Sequence, residues 1–123
     1  LEQIKERLKD SNDMILFETL CVRDLRVYAQ SLAGDVYHYR DKNGLECDAV
    51  VHLPNGDYAL IEIKLGGEKL IEDGANSLLR LASKIDVNRM KHPSFLMVLT
   101  ATGTFAYRRK DNVLVVPIST LGA

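Results

Sequence analysis

The hydrophobic and polar positions of the first part of the chain follow a helical period. Between Met14 and about Leu32 the apolar residues recur at helical spacing, which predicts a long amphipathic helix with a wide buried face. Gly34 is a suitable stop just past the end of this helix. The residues expected on the buried face are Leu16, Leu20 and Val27, with Phe17, Cys21, Leu25, Tyr28 and Leu32 beside them.

Three strand-like segments follow the predicted helix. They cover residues 36–40, 47–53 and 58–65, and they are rich in β-branched and aromatic residues. Asn-Gly pairs at residues 43–44 and 55–56 lie between them, and Asn-Gly is a strong hairpin signal. These segments therefore predict an antiparallel meander of three strands.

The rest of the chain predicts a second helix and three further strands. The helix begins at about Glu68 or Asp73, ends at Lys84 and follows a turn at Gly66 and Gly67. The strands are predicted at residues 95–100, 105–108 and 113–117. Because a helix connects the third and fourth strands, that pair is expected to be parallel. The fold class is α/β, a mixed sheet flanked by helices in the order α-β-β-β-α-β-β-β.

Length and composition are typical of one compact globular domain. The chain has 123 residues, of which 46% are hydrophobic and 27% charged. No apolar run approaches the roughly 18 residues needed to cross a bilayer, and no segment resembles a signal peptide. Cys21 and Cys47 lack metal-type spacing, so we expect reduced thiols in a cytoplasmic protein.

The chain begins with leucine rather than methionine, which indicates a fragment of a longer protein. We divide it into a helical lead-in over residues 1–13 and one domain over residues 14–123. The net charge of −1 argues against nucleic-acid binding through bulk positive charge. It is compatible with an acidic metal site, because a bound cation offsets the carboxylates.

Two acidic residues and a lysine occupy unusual positions inside predicted strands. Asp48 lies in the second strand, and Glu62 and Lys64 lie two residues apart in the third, on the same face. If the strands pair through the turn between them, Asp48 lies opposite about Ile63. A twist, bulge or splay near Gly66 is then required to bring the three side chains together.

Converging carboxylates repel each other unless a cation lies between them. Mg²⁺ prefers oxygen ligands and retains several waters, so two or three carboxylates suit it. A neighbouring lysine can orient the attacking water and offset charge that develops on a phosphate. The pattern is therefore typical of phosphoryl chemistry.

Asp48, a spacer and then Glu62-Ile63-Lys64 resemble the PD-(D/E)XK nuclease motif of restriction endonucleases and Holliday-junction resolvases. In that family an acidic residue on the preceding helix completes the site, and Glu18 occupies the matching position. The resemblance implies a restriction-endonuclease-like fold, with Asp48, Glu62 and Lys64 as catalytic residues. It further implies that Glu18, Asp48 and Glu62 hold Mg²⁺ or Mn²⁺ and that DNA is the partner. Cys47 replaces the proline that gives the motif its name.

Residues 17–25 (FETLCVRDL) and 45–50 (LECDAV) also resemble the C-terminal domain that follows a P-loop AAA-type ATPase in many prokaryotic proteins. This resemblance covers nearly the whole chain from about Met14 onward. It implies an ATPase domain in the full-length protein as a second partner. The chain contains no Gly-x-x-x-x-Gly-Lys-Ser/Thr loop, so the expected ATPase lies outside it.

Other interpretations of these residues remain open at this stage. Glu62 and Lys64 could form an ion pair on an exposed strand, and Glu18 could be an ordinary surface residue of a helix. Arg23 and Arg26 fit a solvated charge network with Asp24, or contacts to a phosphate. The domain could accordingly be a metal-dependent nuclease, an inert DNA- or protein-interaction module, or a structural support for the ATPase.

Overall fold

The computed structural model describes residues 11–86 and 88–120, with side chains from residue 15 onward. The predicted lead-in lies outside the described residues for positions 1–10, and its last three positions belong to the first helix. The helices are α1 (Ser11–Ser31) and α2 (Glu68–Ser83). The strands are β1 (Asp35–Arg40), β2 (Glu46–His52), β3 (Tyr58–Lys64), β4 (Phe95–Thr100), β5 (Tyr107–Arg108) and β6 (Leu114–Pro117). A 3-10 turn, Ile118–Thr120, follows β6.

The six strands form one mixed sheet in the order β1-β2-β3-β4-β6-β5. The first three strands are the predicted antiparallel meander. β4 is parallel to β3, as the intervening helix requires, and β6 is parallel to β4. β5 pairs antiparallel with β6 at the far edge. The structure confirms a mixed α/β sheet flanked by two helices.

One helix covers each face of the sheet. On the α1 side, Phe17, Cys21 and Leu25 pack against a core that includes Ile61 and Ile63. The second core lies on the α2 side and contains Cys47, Val50, Tyr58, Leu60, Ala75, Leu78, Leu81, Val98 and Val113. β3 is covered on both faces, so its polar residues are held in a largely water-excluded strand.

The buried face of α1 is narrower than the sequence predicts. The residues that point into the sheet recur every four positions, at Phe17, Cys21, Leu25 and Ala29. α1 lies over β1 and β2 and buries only this stripe. The apolar residues beside it are exposed, namely Leu16, Leu20, Val27, Tyr28 and Leu32. Neither helix of the described ranges combines the length and apolar character needed to cross a membrane.

Candidate functional site

Strand β2 carries one extra residue at Asp48. Tyr37 pairs with Val50, but Tyr39 pairs with Cys47, so Asp48 and Ala49 together lie opposite a single residue of β1. This is a β-bulge, which bends a strand and redirects its side chains. A twist, bulge or splay near Gly66 was predicted from the sequence, and the structure has the bulge in β2 at Asp48.

The bulge coincides with the point where β2 separates from β3. Backbone pairing ends at Ala49 and Ile61, one residue away from the predicted register. Beyond that point the Asp48 side chain takes the place of a backbone acceptor of β2. Its Oδ2 accepts a hydrogen bond of 2.8 Å from the N–H of Ile63. Asp48 is therefore fixed by the backbone of the strand that carries Glu62 and Lys64.

Asp48 and Glu62 form a carboxyl pair at the point where β2 and β3 separate. Glu62 is only 7% exposed, although it is charged in the unfolded chain at neutral pH. Burial raises the pKa of Glu62 to about 9. Asp48 acts in the same direction, because its carboxylate accepts a hydrogen bond from protonated Glu62 and repels the ionised form. The positive charge of Lys64 opposes these effects and lowers the pKa of Glu62. In the metal-free domain Glu62 therefore retains a proton at neutral pH.

All four residues singled out from the sequence line one open groove of about 570 Å³, hereafter the acidic groove. They are Glu18, Asp48, Glu62 and Lys64. Burial and then repulsion from Asp48 raise the pKa of Glu18, while Lys64 lowers it. Lys64 makes no ion pair within the described residues, so its ammonium group is available to a ligand.

Lys64 is placed by a glycine of helix α2. Gly74 is buried, and a Cβ at this position would lie 3.3 Å from Cγ of Lys64 and 3.2 Å from Val98. The missing side chain lets the helix approach the strand and lets the aliphatic part of Lys64 pack across it. This contact could not be predicted, because a glycine within a predicted helix has several possible explanations.

The turn after β3 fixes the end of the same strand. Gly66 has φ +130°, and the Leu65 carbonyl accepts hydrogen bonds from Ala101 N, Thr102 N and Thr102 Oγ1 at 3.1–3.2 Å. A Cβ at Gly66 would overlap Thr102 Oγ1. The residues that follow Lys64 are therefore held in place by hydrogen bonds from the residues that follow β4.

Arg80 of α2 lines the acidic groove together with Ser77 and was not predicted to belong to the site. These residues lie three positions apart and thus on one side of the helix. The available signal was a cation at helical spacing from the apolar residues of α2. Arg23 and Arg26 line a neighbouring groove of about 700 Å³ that shares Glu18 and Asp48 with the acidic groove. This second groove is hereafter the arginine groove.

The side chains of the acidic groove fit a hard divalent ion through two carboxylates. Within the described residues, no three Asp, Glu, His or Cys side chains form a metal-binding group. The structure therefore brings Asp48 and Glu62 together, with Glu18 in the same groove but outside the pair. Mg²⁺ is commonly held by one or two protein carboxylates, waters and substrate phosphates, so a two-carboxylate set is sufficient. The metal assignment stays a prediction.

The fold and groove define a small mixed α/β domain with an acidic pair where strands β2 and β3 separate. The chain belongs to a family described as a domain of unknown function, DUF4143, whose family model matches residues 15–121. No curated protein is significantly similar to the chain, and neither is any solved structure.

Proposed function

We propose that this domain hydrolyses DNA phosphodiester bonds with Mg²⁺ or Mn²⁺ as its cofactor, as the C-terminal domain of a cytoplasmic AAA-type ATPase. One observation carries the proposal: the buried carboxyl group of Glu62 and the half-buried carboxylate of Asp48 share an open groove with Lys64, whose ammonium group makes no ion pair within the described residues. A buried acid with a strongly raised pKa is costly to the fold, and such groups are concentrated at functional sites.

Each residue of the acidic groove has a distinct role in the proposed reaction. Asp48 and Glu62 hold the cation, and the bulge together with the Ile63 N–H keeps Asp48 oriented toward Glu62. When bound, the cation supplies charge stabilisation at the phosphoryl oxygens and lowers the pKa of a coordinated water. Lys64 orients the attacking water and offsets charge developing on the phosphate. Glu18 accepts a hydrogen bond from water on the α1 side of the groove.

Metal binding is tested first by calorimetric titration of the chain with Mn²⁺. The wild type is expected to bind, whereas Asp48→Ala and Glu62→Gln should weaken binding by at least about tenfold, since each removes an oxygen ligand. Glu72→Gln is the matched control, because Glu72 is an exposed glutamate on α2 outside the acidic groove. Equal affinity in all four proteins would remove the basis of the proposal.

Hydrolysis is tested next with branched, duplex and single-stranded DNA in Mg²⁺ or Mn²⁺. Lys64→Ala is expected to retain metal binding and to lose cleavage by about 100-fold or more, because an electrostatic contact to the reacting phosphate is lost. Metal binding without cleavage of any of these DNA forms would contradict the enzymatic role.

A catalytically inert interaction module is the second candidate, and the exposed apolar residues of α1 favour it. Leu16, Leu20 and Val27 are 45–63% exposed, which is unusual for three aliphatic residues on one helix side. The near-neutral net charge also suits a protein partner better than bulk DNA binding. In this alternative, replacing Leu16 and Val27 by serine abolishes binding of the protein partner in a pull-down with the full-length chain, while Asp48→Ala has no effect on it.

A further inference from the structure

A third groove continues from the acidic groove along the α2 side of the sheet. It has a volume of about 810 Å³ and is hereafter the tyrosine groove. Its lining includes Tyr37, Tyr39, Tyr58, Arg80, Lys84 and Met90. Gly44, Leu45 and Arg80 line both this groove and the acidic groove, so the two grooves adjoin at these residues.

The tyrosine groove exists because α2 does not cover the whole sheet. α2 packs mainly on β3 and β4, whereas α1 covers β1 and β2 from the opposite face. The α2-side face of β1 is therefore uncovered, and Tyr37 on this edge strand is 45% exposed. The C-terminal half of α2 forms the opposite wall with Arg80 and Lys84.

The carboxylates of the tyrosine groove are already engaged, but its cations are not. Asp41 accepts hydrogen bonds from Asn43 N, Leu45 N and the Tyr39 hydroxyl. Asp86, the other carboxylate of the groove, accepts from a backbone N–H and pairs with a neighbouring arginine. Neither Arg80 nor Lys84 makes an ion pair within the described residues. The groove can therefore accept an anionic ligand without breaking existing pairs.

The three tyrosines of the tyrosine groove also differ in whether their hydroxyl groups have a hydrogen-bond partner within the described residues. The Tyr58 hydroxyl donates to the Lys91 carbonyl at 2.6 Å, and the Tyr39 hydroxyl to Asp41 at 3.3 Å, so both rings are held by the fold. The Tyr37 hydroxyl has no hydrogen-bond partner among the described residues. An exposed ring beside two cations that make no ion pair within the described residues is suited to an unpaired base and its phosphates.

We infer that the tyrosine groove binds a single strand of nucleic acid and leads it to the acidic groove. Tyr37 stacks on a base, Arg80 and Lys84 contact successive phosphates, and Arg80 holds the phosphate nearest the Asp48–Glu62 pair. A duplex is disfavoured, because its bases are already stacked and paired and two cations are few for a duplex backbone. The substrate class rests on the proposed function, whereas the binding of a single strand does not.

The test measures binding of a fluorescent oligothymidylate of about 20 nucleotides by anisotropy, in EDTA. Without metal or cleavage, the result is independent of the proposed hydrolysis. Tyr37→Ala is expected to weaken binding by about 5- to 150-fold, the usual value of one base–aromatic stack. Tyr37→Phe should bind like the wild type, because the ring rather than the hydroxyl makes the contact.

Salt dependence tests the two cations separately. Arg80→Gln and Lys84→Gln should each reduce the slope of log affinity against log salt by about 0.7, the value for one phosphate contact on a single strand. Matched controls lie on β5 at the opposite edge of the sheet: Tyr107→Ala, where Tyr107 is 42% exposed, and Arg108→Gln. Both should leave affinity and slope unchanged.

Two results would overturn the inference. One is an effect of Tyr37→Ala no larger than that of Tyr107→Ala. The other is equal affinity for a duplex of the same length. If cleavage fails while the single strand binds through Tyr37, Arg80 and Lys84, the groove assignment stands and only the hydrolytic function fails.

Discussion

Replacement of Glu62 by glutamine is expected to raise the free energy of unfolding of the metal-free domain at pH 8 by more than ~2 kcal/mol. In the folded domain burial and Asp48 raise the pKa of Glu62 to about 9, whereas the unfolded carboxyl titrates near 4.5. At pH 8 the folded state must therefore hold a proton that the unfolded state releases, which favours unfolding. Glutamine has nearly the same shape, carries no charge and removes this penalty.

The sign of the pH dependence follows from the same difference. Between about pH 4.5 and 9 the folded state binds more protons than the unfolded state, so stability falls as pH rises through this window. Glu18, whose pKa is also raised, contributes in the same direction. Urea unfolding in EDTA at pH 5.5 and 8.5 should show a loss of stability in the wild type and a smaller loss in Glu62→Gln. Glu72→Gln should behave like the wild type, and a wild type that gains stability toward pH 8.5 would contradict the assignment.

Gly66→Ala is expected to lower the free energy of unfolding by about 3 kcal/mol or more. The backbone at Gly66 has φ +130°, which side chains rarely adopt, and a Cβ there would overlap Thr102 Oγ1. The turn would have to move, and it would take the hydrogen bonds to the Leu65 carbonyl with it. Urea unfolding at pH 6 measures the effect.

Two further variants separate backbone strain from the overlap. Gly67 has φ +89° and ψ 149°, a glycine-type conformation, but open space around a Cβ, so Gly67→Ala should cost only the backbone strain of about 1–3 kcal/mol, less than Gly66→Ala. Thr102→Ala should partly rescue Gly66→Ala, because it removes the overlapping hydroxyl. Additive effects of Gly66→Ala and Thr102→Ala would show that the two residues are not in contact.

Most of the fold could be predicted from local patterns. The Asn-Gly turns gave the meander, and the helix between the third and fourth strands gave the parallel pair. The position of β6 between β4 and β5 was not predicted, because strand order depends on packing between distant segments. The predicted burial of α1 was partly wrong for the same reason. Leu16 and Leu20 follow a helical period, but the period does not reveal which apolar stripe meets the sheet.

The candidate site was predicted in its residues but not in its geometry. The in-strand positions of Asp48, Glu62 and Lys64 indicated one site, and all three line the acidic groove. The bulge that aims Asp48 has no signature in the sequence, since neither Asp48 nor Ala49 is a residue type that marks a bulge. Arg80 was missed because its relevance depends on the tilt of α2 across the sheet.

The extra residue in β2 divides that strand into two halves whose side chains alternate out of step. Cys47 and Val50 lie three positions apart, yet both join the core beneath α2, where regular alternation would separate them. The strand length between Glu46 and Val50 thus determines where its carboxylate is directed. A related chain with one residue fewer between Glu46 and Val50 would keep the residue types of the motif, but the side chain that corresponds to Asp48 would point in another direction. Alignment gaps within this segment are therefore a sharper guide to which relatives retain the site than the identity of the acid itself.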